Sequence, residues 1–481
     1  MDALKIGRDE FRDKVYACWL GKNIGGTLGA PLEGLRHTHA LTFYDPVPDG
    51  SAPNDDLDLQ LVWLQMLEEV GLDPPLPRFA EYWSRYAASY PWNEYGFFMR
   101  NYTRGLRSPV AGCFENYYVD EMGSPIRSEI WACLHAGDPQ TAAAMAWKDS
   151  AVDHAGGEGT CGEMFWAAVE AAAFVEPDPL VLIHVGLNMI PLSSHIGRSI
   201  REAVWCFQNG LSWGKARERI ATRFGHIQPC NAVPNHGFTI LGWLYGEDFG
   251  DRLCKAVNCG YDTDCTGATL GSLLGILGGT AGIGNRWREP VGEEIVLHAF
   301  TRGLNAPRTL GELTDRTVAL AEAAAAGDDE RAFAEKTSTP DDLLTRLFRN
   351  EQALAARARD VHVAVELCDG NEVAFHYGGE PVLRPGIGRE VWVTVEGDAA
   401  PEADLDVPEG WTCQRLGPAR FRLLSPQPVA DRNAVTVRLA GGGAVDFTVL
   451  GPGEAKGFPA GDNVPKCPHC RARVEACICE A

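Results

Sequence analysis

Residues 258–279 read NCGYDTDCTGATLGSLLGILGG, and no other stretch of the chain indicates its architecture as clearly. Asp262 and Asp264 stand two residues apart in an irregular turn, so both carboxylates can point in one direction. Glycines then recur at every fourth position, namely Gly267, Gly271, Gly275 and Gly279. On a helix, this spacing forms a smooth ridge along which a second backbone can approach closely. The pattern predicts a helix packed at the protein centre and preceded by an acidic turn.

A second acidic cluster, Asn54-Asp55-Asp56, lies far away in the chain and directly precedes another apolar, helix-patterned run. Taken alone, it is typical of a helix start, where Asn54 caps the helix and the aspartates complement its dipole. Asp264 can likewise serve only as a cap. Carboxylates gathered at one point repel each other unless a cation offsets them. If the fold joins the two clusters, we therefore expect a site for a hard divalent metal.

Helical periodicity runs from residue 9 to about residue 355 and includes RTVALAEAAAAGDDERAFAEK (316–336), which we predict to be a helix. After Asp360, short β-rich runs such as EVWVTVEG and AVTVRLAG alternate with turns, a spacing typical of an antiparallel sandwich. We predict a mainly α protein with four parts, which are a compact all-α domain (1–358), a small immunoglobulin-like β-sandwich (359–450), a linker (451–466) and a Cys-rich tail (467–481).

Composition limits the partners that the protein can have. The chain has 481 residues, and its 43 basic and 65 acidic side chains give a net charge of −22. Such a charge disfavours nucleic acid or an anionic membrane as the main partner, while a local basic pocket for a phosphorylated small molecule is compatible with it. Neither a secretory signal nor an apolar run of the ~20 residues that a membrane span needs is visible.

The 15 cysteines indicate a reducing compartment, because most stand singly in apolar stretches, and we expect a cytoplasmic protein. The tail CPHCRARVEACICEA is different. Its CxxC and CxC pairs suit tetrahedral Zn²⁺, with His469 as a substitute for one thiolate. A reducible tail without metal is the alternative. The predicted zinc ligands are Cys467, Cys470, Cys477 and Cys479.

Two glycine-rich segments add candidate site residues. DSAVDHAGGEGTCGE places His154 and a glycine loop directly before a helix, where free N–H groups suit an anion or sugar hydroxyls. Taken alone, such a segment is more often an ordinary glycine-rich turn between two helices beside a hydrogen-bonded structural histidine. GGTLGAPLEG ends in Glu33, which is either a surface residue or a carboxylate that binds metal or acts as a general base.

Together, GGTLGAPLEG, NDD, GSPIRSEIW, DHAGGEGTCGE and GYDTDCTG resemble, in this order, the motifs of the ADP-ribosylglycohydrolase family, which includes the dinitrogenase reductase-activating glycohydrolase. The resemblance implies a compact all-α fold that holds two Mg²⁺ ions, or Mn²⁺. The metal ligands implied are Asn54, Asp55, Asp56, Asp262, Asp264 and Thr266. The catalytic residues implied are Glu33, Asp55 and Asp264. The substrate-binding residues implied are Gly123, Ser124, His154, Gly157, Glu158 and Gly159.

The chain departs from the family pattern at three places. Asn54 replaces a hydroxyl residue, Cys265 stands where the last threonine ligand is usual, and Gly26-Thr27 replaces an acidic residue. From the resemblance, we expect hydrolysis of an N- or O-ribosyl, ADP-ribosyl-like bond. The alternatives are hydrolysis of another nucleoside, sugar or natural-product glycoside, and a non-catalytic ligand-binding protein. The aromatic-rich segment 82–118 is either a pocket floor or helix-packing core, and the β domain binds a ligand or partner or only packs.

Overall fold

The computed structural model describes residues 3–90, 92–397, 401–425 and 429–452. The helices are α1 Arg8–Gly29, α2 Asp55–Val70, α3 Leu76–Tyr86, α4 Asn93–Thr103, α5 Val110–Cys113, α6 Ser128–Leu134, α7 Pro139–Ser150, α8 Glu158–Ala173, α9 Pro179–Met189, α10 His195–Gln208, α11 Trp213–Phe224, α12 Ala232–Tyr245, α13 Phe249–Val257, α14 Thr263–Gly278, α15 Asn285–Arg288, α16 Leu310–Ala325, α17 Leu343–Leu347 and α18 Glu351–Arg357. The strands are β1 Leu4–Gly7, β2 Arg331–Ala334, β3 Val363–Cys368, β4 Asn371–His376, β5 Arg389–Val395, β6 Ala403–Asp406, β7 Thr412–Arg415, β8 Arg420–Leu424, β9 Arg432–Leu439 and β10 Ala444–Leu450. The chain is thus helix-rich at first and β-rich after residue 360, as predicted. The predicted zinc tail lies outside the described residues.

The glycine ridge of α14 packs directly against α1, which confirms the central helix. A methyl group added at Gly25 would lie 1.9 Å from the Gly267 carbonyl oxygen, and one at Gly21 would lie 2.0 Å from that of Gly271. Only glycine permits such an approach. The prediction that Asp264 caps α14 is wrong, because Asp262 occupies the cap position and Asp264 lies inside the first turn. The close packing fixes the acidic turn against the end of α1.

Helix α2 begins where the sequence predicts it. The Asn54 side chain accepts a hydrogen bond from the Asp56 backbone N–H at 3.1 Å, so it acts as the expected cap. The following helix is almost wholly buried, and Trp63 packs against Trp83 and Trp131 in its surroundings. Half of the aromatic residues of segment 82–118 are buried core residues and four more are partly buried, whereas Trp92 and Tyr117 are exposed.

One part of the predicted helix at 316–336 is wrong. Helix α16 ends at Ala325, and Arg331–Ala334 forms strand β2, which pairs in parallel with β1. The sequence Gly327-Asp328-Asp329 ends the helix, since glycine and aspartate favour turns. The short RAFA segment then finds a strand partner more than 300 residues earlier in the chain, which local periodicity does not reveal.

The C-terminal region contains two antiparallel sheets. Their strand orders are β3-β4-β5-β8-β7 and β10-β9-β6. The Phe375 and Phe447 rings stack with centroids 5.3 Å apart and connect the two sheets. This region packs on the helices, since the Val365 N–H donates to the Ser108 carbonyl at 3.0 Å and the Leu76 N–H to Glu372 Oε1 at 2.6 Å. Of the roles left open for it, packing is the one that these contacts show.

Candidate metal centre

The contact of α1 with α14 brings residues of the two acidic clusters together. One carboxylate oxygen each of Asp56 and Asp264 and the Cys265 sulfur lie within 4.8 Å of one another, and we call these residues the Asp56 group. Candidate ligand atoms of Glu33, Cys230 and Asp262 also lie within 4.8 Å of one another, and they form the Glu33 group. Residues that are far apart in sequence thus form two adjacent sets of candidate ligands.

Several oxygens in these groups have no hydrogen-bond partner among the described residues. They are both carboxylate oxygens of Asp56, Oδ1 of Asp262 and Oδ1 of Asp264. Asp56 is 0% exposed and Asp262 is 1% exposed. The Lys22 Nζ lies 4.0 Å from Asp56, but it binds Glu129 at 2.7 Å. Burial of unpaired carboxylates is strongly unfavourable, so the arrangement calls for a compensating cation or proton.

The pKa values of these carboxylates are raised, although hydrogen bonds from Asp264 and Cys265 offset part of the shift at Asp262. Burial raises the pKa of Asp262 to about 7, and the neighbouring Glu33 carboxylate contributes. Burial also raises the pKa values of Asp56 and Asp264 well above their usual range, and nearby carboxylates add to this. Burial favours loss of the Lys22 proton, but Glu129 and Asp56 outweigh it and raise the lysine pKa. The residues present therefore fit a divalent cation, whose charge would offset these carboxylates.

Asp55 and Glu33 lie at the more open side of this centre. Asp55 Oδ2 accepts a hydrogen bond from the Trp92 indole N–H at 2.8 Å, which fixes its orientation. Glu33 is exposed at its outer edge, yet burial by the surrounding protein and the Asp55 charge raise its pKa. Both side chains are placed where a ligand could reach them, and their catalytic roles stay predictions.

Asn54 and Thr266, two of the metal ligands that the resemblance implies, have hydrogen-bond partners within the protein. The Asn54 amide oxygen is used to cap α2, and its amide nitrogen donates to Asn23 at 3.3 Å. The Thr266 hydroxyl donates to the Thr263 carbonyl at 3.2 Å, whereas the Cys265 sulfur belongs to the Asp56 group. The geometry therefore places Cys265 beside the acidic residues, and the ligand role implied for Thr266 stays a prediction.

The glycine loop near His154 packs tightly against another segment. The N–H groups of Gly157, Glu158 and Gly159 donate to the His154 carbonyl, the Asp120 carboxylate and the Val119 carbonyl. The expectation that this loop offers free N–H groups to an anion is therefore wrong. The physical reason is that the loop satisfies its own donors within the fold. The Glu158 carboxylate in turn accepts the first N–H groups of α10.

Other predicted substrate-binding residues also have protein partners. His154 is fully buried, and its Nδ1 lies 2.7 Å from Asp153 Oδ1. The Ser124 hydroxyl donates to Glu163 Oε2 at 2.5 Å, and the Gly123 carbonyl accepts from the Tyr95 hydroxyl at 2.8 Å. These contacts position the loop and give no direct sign of substrate binding, which stays a prediction.

Sequence reasoning missed several charged and thiol residues around the centre. Cys230 lies in HIQPCN between two helices and carries no motif, so only the structure reveals it. Arg127 lies within GSPIRSEIW and is fully buried, with Nη1 2.8 Å from Asp153 and Nη2 2.8 Å from Asp149. Lys22 had one usable signal, because a lysine inside a glycine-rich apolar helix face must find a buried partner.

Comparison with known proteins agrees with these observations. The family model described as ADP-ribosylglycohydrolase matches residues 7–355. The chain belongs to the ADP-ribosylglycohydrolase family. An uncharacterized protein of Archaeoglobus fulgidus is 26% identical over 293 residues, which are 58% of this chain and 91% of that protein. A solved structure described as an ADP-ribosylglycohydrolase-related protein complex aligns with a TM-score of 0.43 and 20% identity, over 66% of this chain and 98% of that one.

Family membership supports a hydrolase that acts on glycosidic bonds in general. The β-rich C-terminal region lies outside the matched residues. The cysteines in the described ranges form no disulfide. In the same ranges, none of the helices has both the length and the apolar character that a bilayer crossing requires.

Proposed function

We propose that this family member is a metal-dependent hydrolase that cleaves an N- or O-ribosyl, ADP-ribosyl-like bond at a binuclear divalent centre. Mg²⁺ or Mn²⁺ are the ions that the family resemblance implies. The observation that carries the proposal is the convergence of buried, unpartnered carboxylate oxygens from Asp56, Asp262 and Asp264. Without a cation or protons to offset its charge, such a cluster would destabilise the fold.

The carboxylates of Asp55, Asp56, Asp262 and Asp264 would hold the cations. Bound divalent cations would supply Lewis-acid polarisation of substrate hydroxyls and of water. Asp55 is partly exposed and is oriented by the Trp92 indole, so it would also contact the substrate. The exposed face of Trp92 offers an apolar wall for a sugar or a planar base.

Glu33 is the candidate general base. It lies at the accessible edge of the centre, in the same group as Asp262, and its pKa is raised by burial and by Asp55. A carboxylate with a raised pKa is a better acceptor for the proton of an attacking water molecule. Attack would occur on an oxocarbenium-like sugar carbon, as in other glycoside hydrolyses.

A second candidate function is hydrolysis of a different glycoside at the same centre. Two observations favour it, since Asn54 uses its amide oxygen as a helix cap and Cys265 replaces the usual hydroxyl ligand. These changes alter the ligand set of the centre while leaving the acidic residues in place. The substrate is therefore the part of the proposal that most needs a direct test.

A substrate panel distinguishes these functions. The purified full-length protein would be incubated with an ADP-ribosyl peptide, nucleosides and simple glycosides, with Mg²⁺ or Mn²⁺ and with EDTA. We expect cation-dependent release of ADP-ribose, which Asp262→Ala abolishes. Release from another glycoside alone would favour the second candidate. Full activity of an EDTA-treated Asp262→Ala protein would refute metal-dependent hydrolysis, and binding without turnover would indicate a non-catalytic protein.

A further inference from the structure

We propose that Cys230 and Cys265 are thiol ligands of this centre and that they shift its preference from Mg²⁺ toward thiophilic divalent cations such as Co²⁺ and Zn²⁺. The inference rests on the proposed metal centre and deepens it by naming the class of cation. Each candidate group contains two carboxylates and one thiol. The predicted ligand set contains Thr266 and no thiol, but the sequence leaves open whether Cys265 or Thr266 takes that ligand position, and it gives no indication of Cys230.

Cys265 is held rigidly beside its carboxylate neighbours. It lies in the first turn of α14, directly after Asp264, and is 9% exposed. The glycine contacts with α1 fix this turn, because a methyl group at Gly29 would lie 2.1 Å from the Thr263 carbonyl oxygen. The Cys265 sulfur therefore keeps its place next to Asp56 and Asp264, within the 4.8 Å that encloses all three ligand atoms.

Cys230 reaches the Glu33 group from an independent segment. Its carbonyl accepts the Met122 N–H at 2.8 Å, which pins the connection between α11 and α12. The Asn235 side chain in α12 accepts the Asp262 N–H at 3.2 Å and so holds the same connection beside the acidic turn. These backbone contacts place the thiol near Asp262 although no sequence motif contains both residues.

The thiols do not stand alone, because buried oxygens beside them lack protein partners. Asp56 in one group and Asp262 in the other are at most 1% exposed, and each has a carboxylate oxygen without a hydrogen bond among the described residues. The other cysteines in that part of the chain, Cys254 for example, belong to no such group of three ligands. The two sets therefore combine unpaired negative charge with sulfur.

Ligand chemistry then decides the preferred cation. Mg²⁺ favours oxygen ligands in octahedral geometry, whereas thiolates favour zinc, iron and cobalt. On binding, each thiol would lose its proton to solvent and form a metal–sulfur bond, with no change of oxidation state. A centre with one sulfur beside two carboxylates at each position should bind Co²⁺ or Zn²⁺ more tightly than Mg²⁺.

Cobalt spectroscopy tests this inference without relying on activity. The full-length, metal-stripped protein would be loaded with Co²⁺, and the sulfur-to-cobalt charge-transfer absorption would be recorded. The C-terminal cysteines are present in every variant and contribute the same absorption, so any change between variants reports on the centre. We expect the absorption of the centre to disappear in Cys230→Ser/Cys265→Ser and in Asp56→Asn/Asp262→Asn, and to persist in the matched control Cys254→Ser. Circular dichroism would verify folding, and Cys265→Thr provides a milder second variant.

The ratio of Co²⁺ to Mg²⁺ affinity supplies the second readout. It should fall at least about tenfold in the double thiol variant, since even outer-shell partners of a metal contribute roughly that much. An unchanged band and ratio in the folded variant would overturn the inference, while cation-dependent glycoside cleavage would still uphold the proposed hydrolase. A thiol-dependent band in a protein that cleaves no glycoside would uphold the inference and refute the hydrolase.

Discussion

Two groups of buried carboxylates lie in the same helical core, and the protein treats them differently. Around Arg127, the Asp153 carboxylate accepts two guanidinium hydrogen bonds at 2.8 and 3.0 Å. At the candidate centre, both oxygens of Asp56 lack a hydrogen bond within the described ranges, and Lys22 lies 4.0 Å away. The comparison separates Asp153, which an arginine of the protein neutralises, from Asp56, for which we propose a bound cation.

The pKa values of Asp153 and Asp56 differ in the same sense. Burial alone would raise the pKa of Asp153, but Arg127 and His154 outweigh burial and lower it. Burial raises the pKa of Asp56 well above its usual range, and Lys22 offsets only part of this effect. We infer that the Arg127 ion pairs stabilise the fold. We propose that the carboxylates around Asp56 lower the stability of the metal-free protein and bind a cation.

Removal of Arg127 should give the largest effect. Arg127→Met would leave Asp149 and Asp153 buried without their counter-ion, and breaking such a pair destabilises by about 3 to 5 kcal/mol. Urea denaturation would measure the loss. Arg8→Met is the matched control, because Arg8 forms an exposed pair with Glu322, which is worth about 0 to 1 kcal/mol. Equal losses in the two variants would contradict the comparison.

Addition of a divalent cation should stabilise the native protein next most strongly. A ligand at 100 times its dissociation constant stabilises by about 2.7 kcal/mol, provided that it binds only the folded state. Thermal denaturation with EDTA and with excess Mn²⁺ would measure the shift. Asp56→Asn should remove the shift without loss of metal-free stability, because it deletes an unpartnered buried charge. A full shift in Asp56→Asn would exclude this carboxylate as a ligand.

A disturbance of the contact between α1 and α14, which fixes the acidic turn, should have an intermediate effect on stability. Gly25→Ala would place a methyl group 1.9 Å from the Gly267 carbonyl and force α1 and α14 apart. Overpacking of this kind costs about 1 to 3 kcal/mol, and the acidic turn would move with α14. We expect lower stability and weaker cation binding by calorimetry. Gly214→Ala on α11 is the control, since its added methyl group meets no atom within 4 Å.

For each titrating group, a change of one pH unit should alter the stability of the metal-free protein less than the preceding changes do. The pKa values of Asp58 and Asp262 are each raised to about 7, mainly by burial. The native state keeps protons that the unfolded chain releases, so stability falls as the pH rises toward and through 7, by at most about 1.4 kcal/mol per pH unit for each proton. Denaturation at several pH values with EDTA would show this slope, and saturating cation should remove the part that Asp262 contributes. A stability that rises with pH over this range would contradict the raised pKa values.

Much of the fold follows from the sequence, because its strongest signals are local. The glycine ridge predicts the central helix, and turn-separated β-rich runs predict the C-terminal sheets. The Asn54 cap and the start of α2 follow from residue chemistry at one helix end. Strand β2 does not, since its partner β1 lies at the other end of the chain.

The candidate site was predicted only in part. Motif order indicated Asp56, Asp262 and Asp264, whose oxygens the structure brings into adjacent groups. The thiol of Cys230 was not predicted, because this loop cysteine lies near Glu33 and Asp262 only in the folded chain. The free N–H groups expected near His154 are engaged by the segment around Val119, which no local pattern reveals.

Cation binding to the acidic residues tests the account most directly. Mn²⁺ would be titrated into the EDTA-stripped, full-length protein, and free Mn²⁺ would be followed by electron paramagnetic resonance. Mn²⁺ suits carboxylates and binds poorly to a tail of cysteines. We predict that the native protein binds two Mn²⁺ ions per chain and that Asp56→Asn/Asp262→Asn binds none at this centre. Equal Mn²⁺ binding by the native protein and the folded double variant would contradict the account.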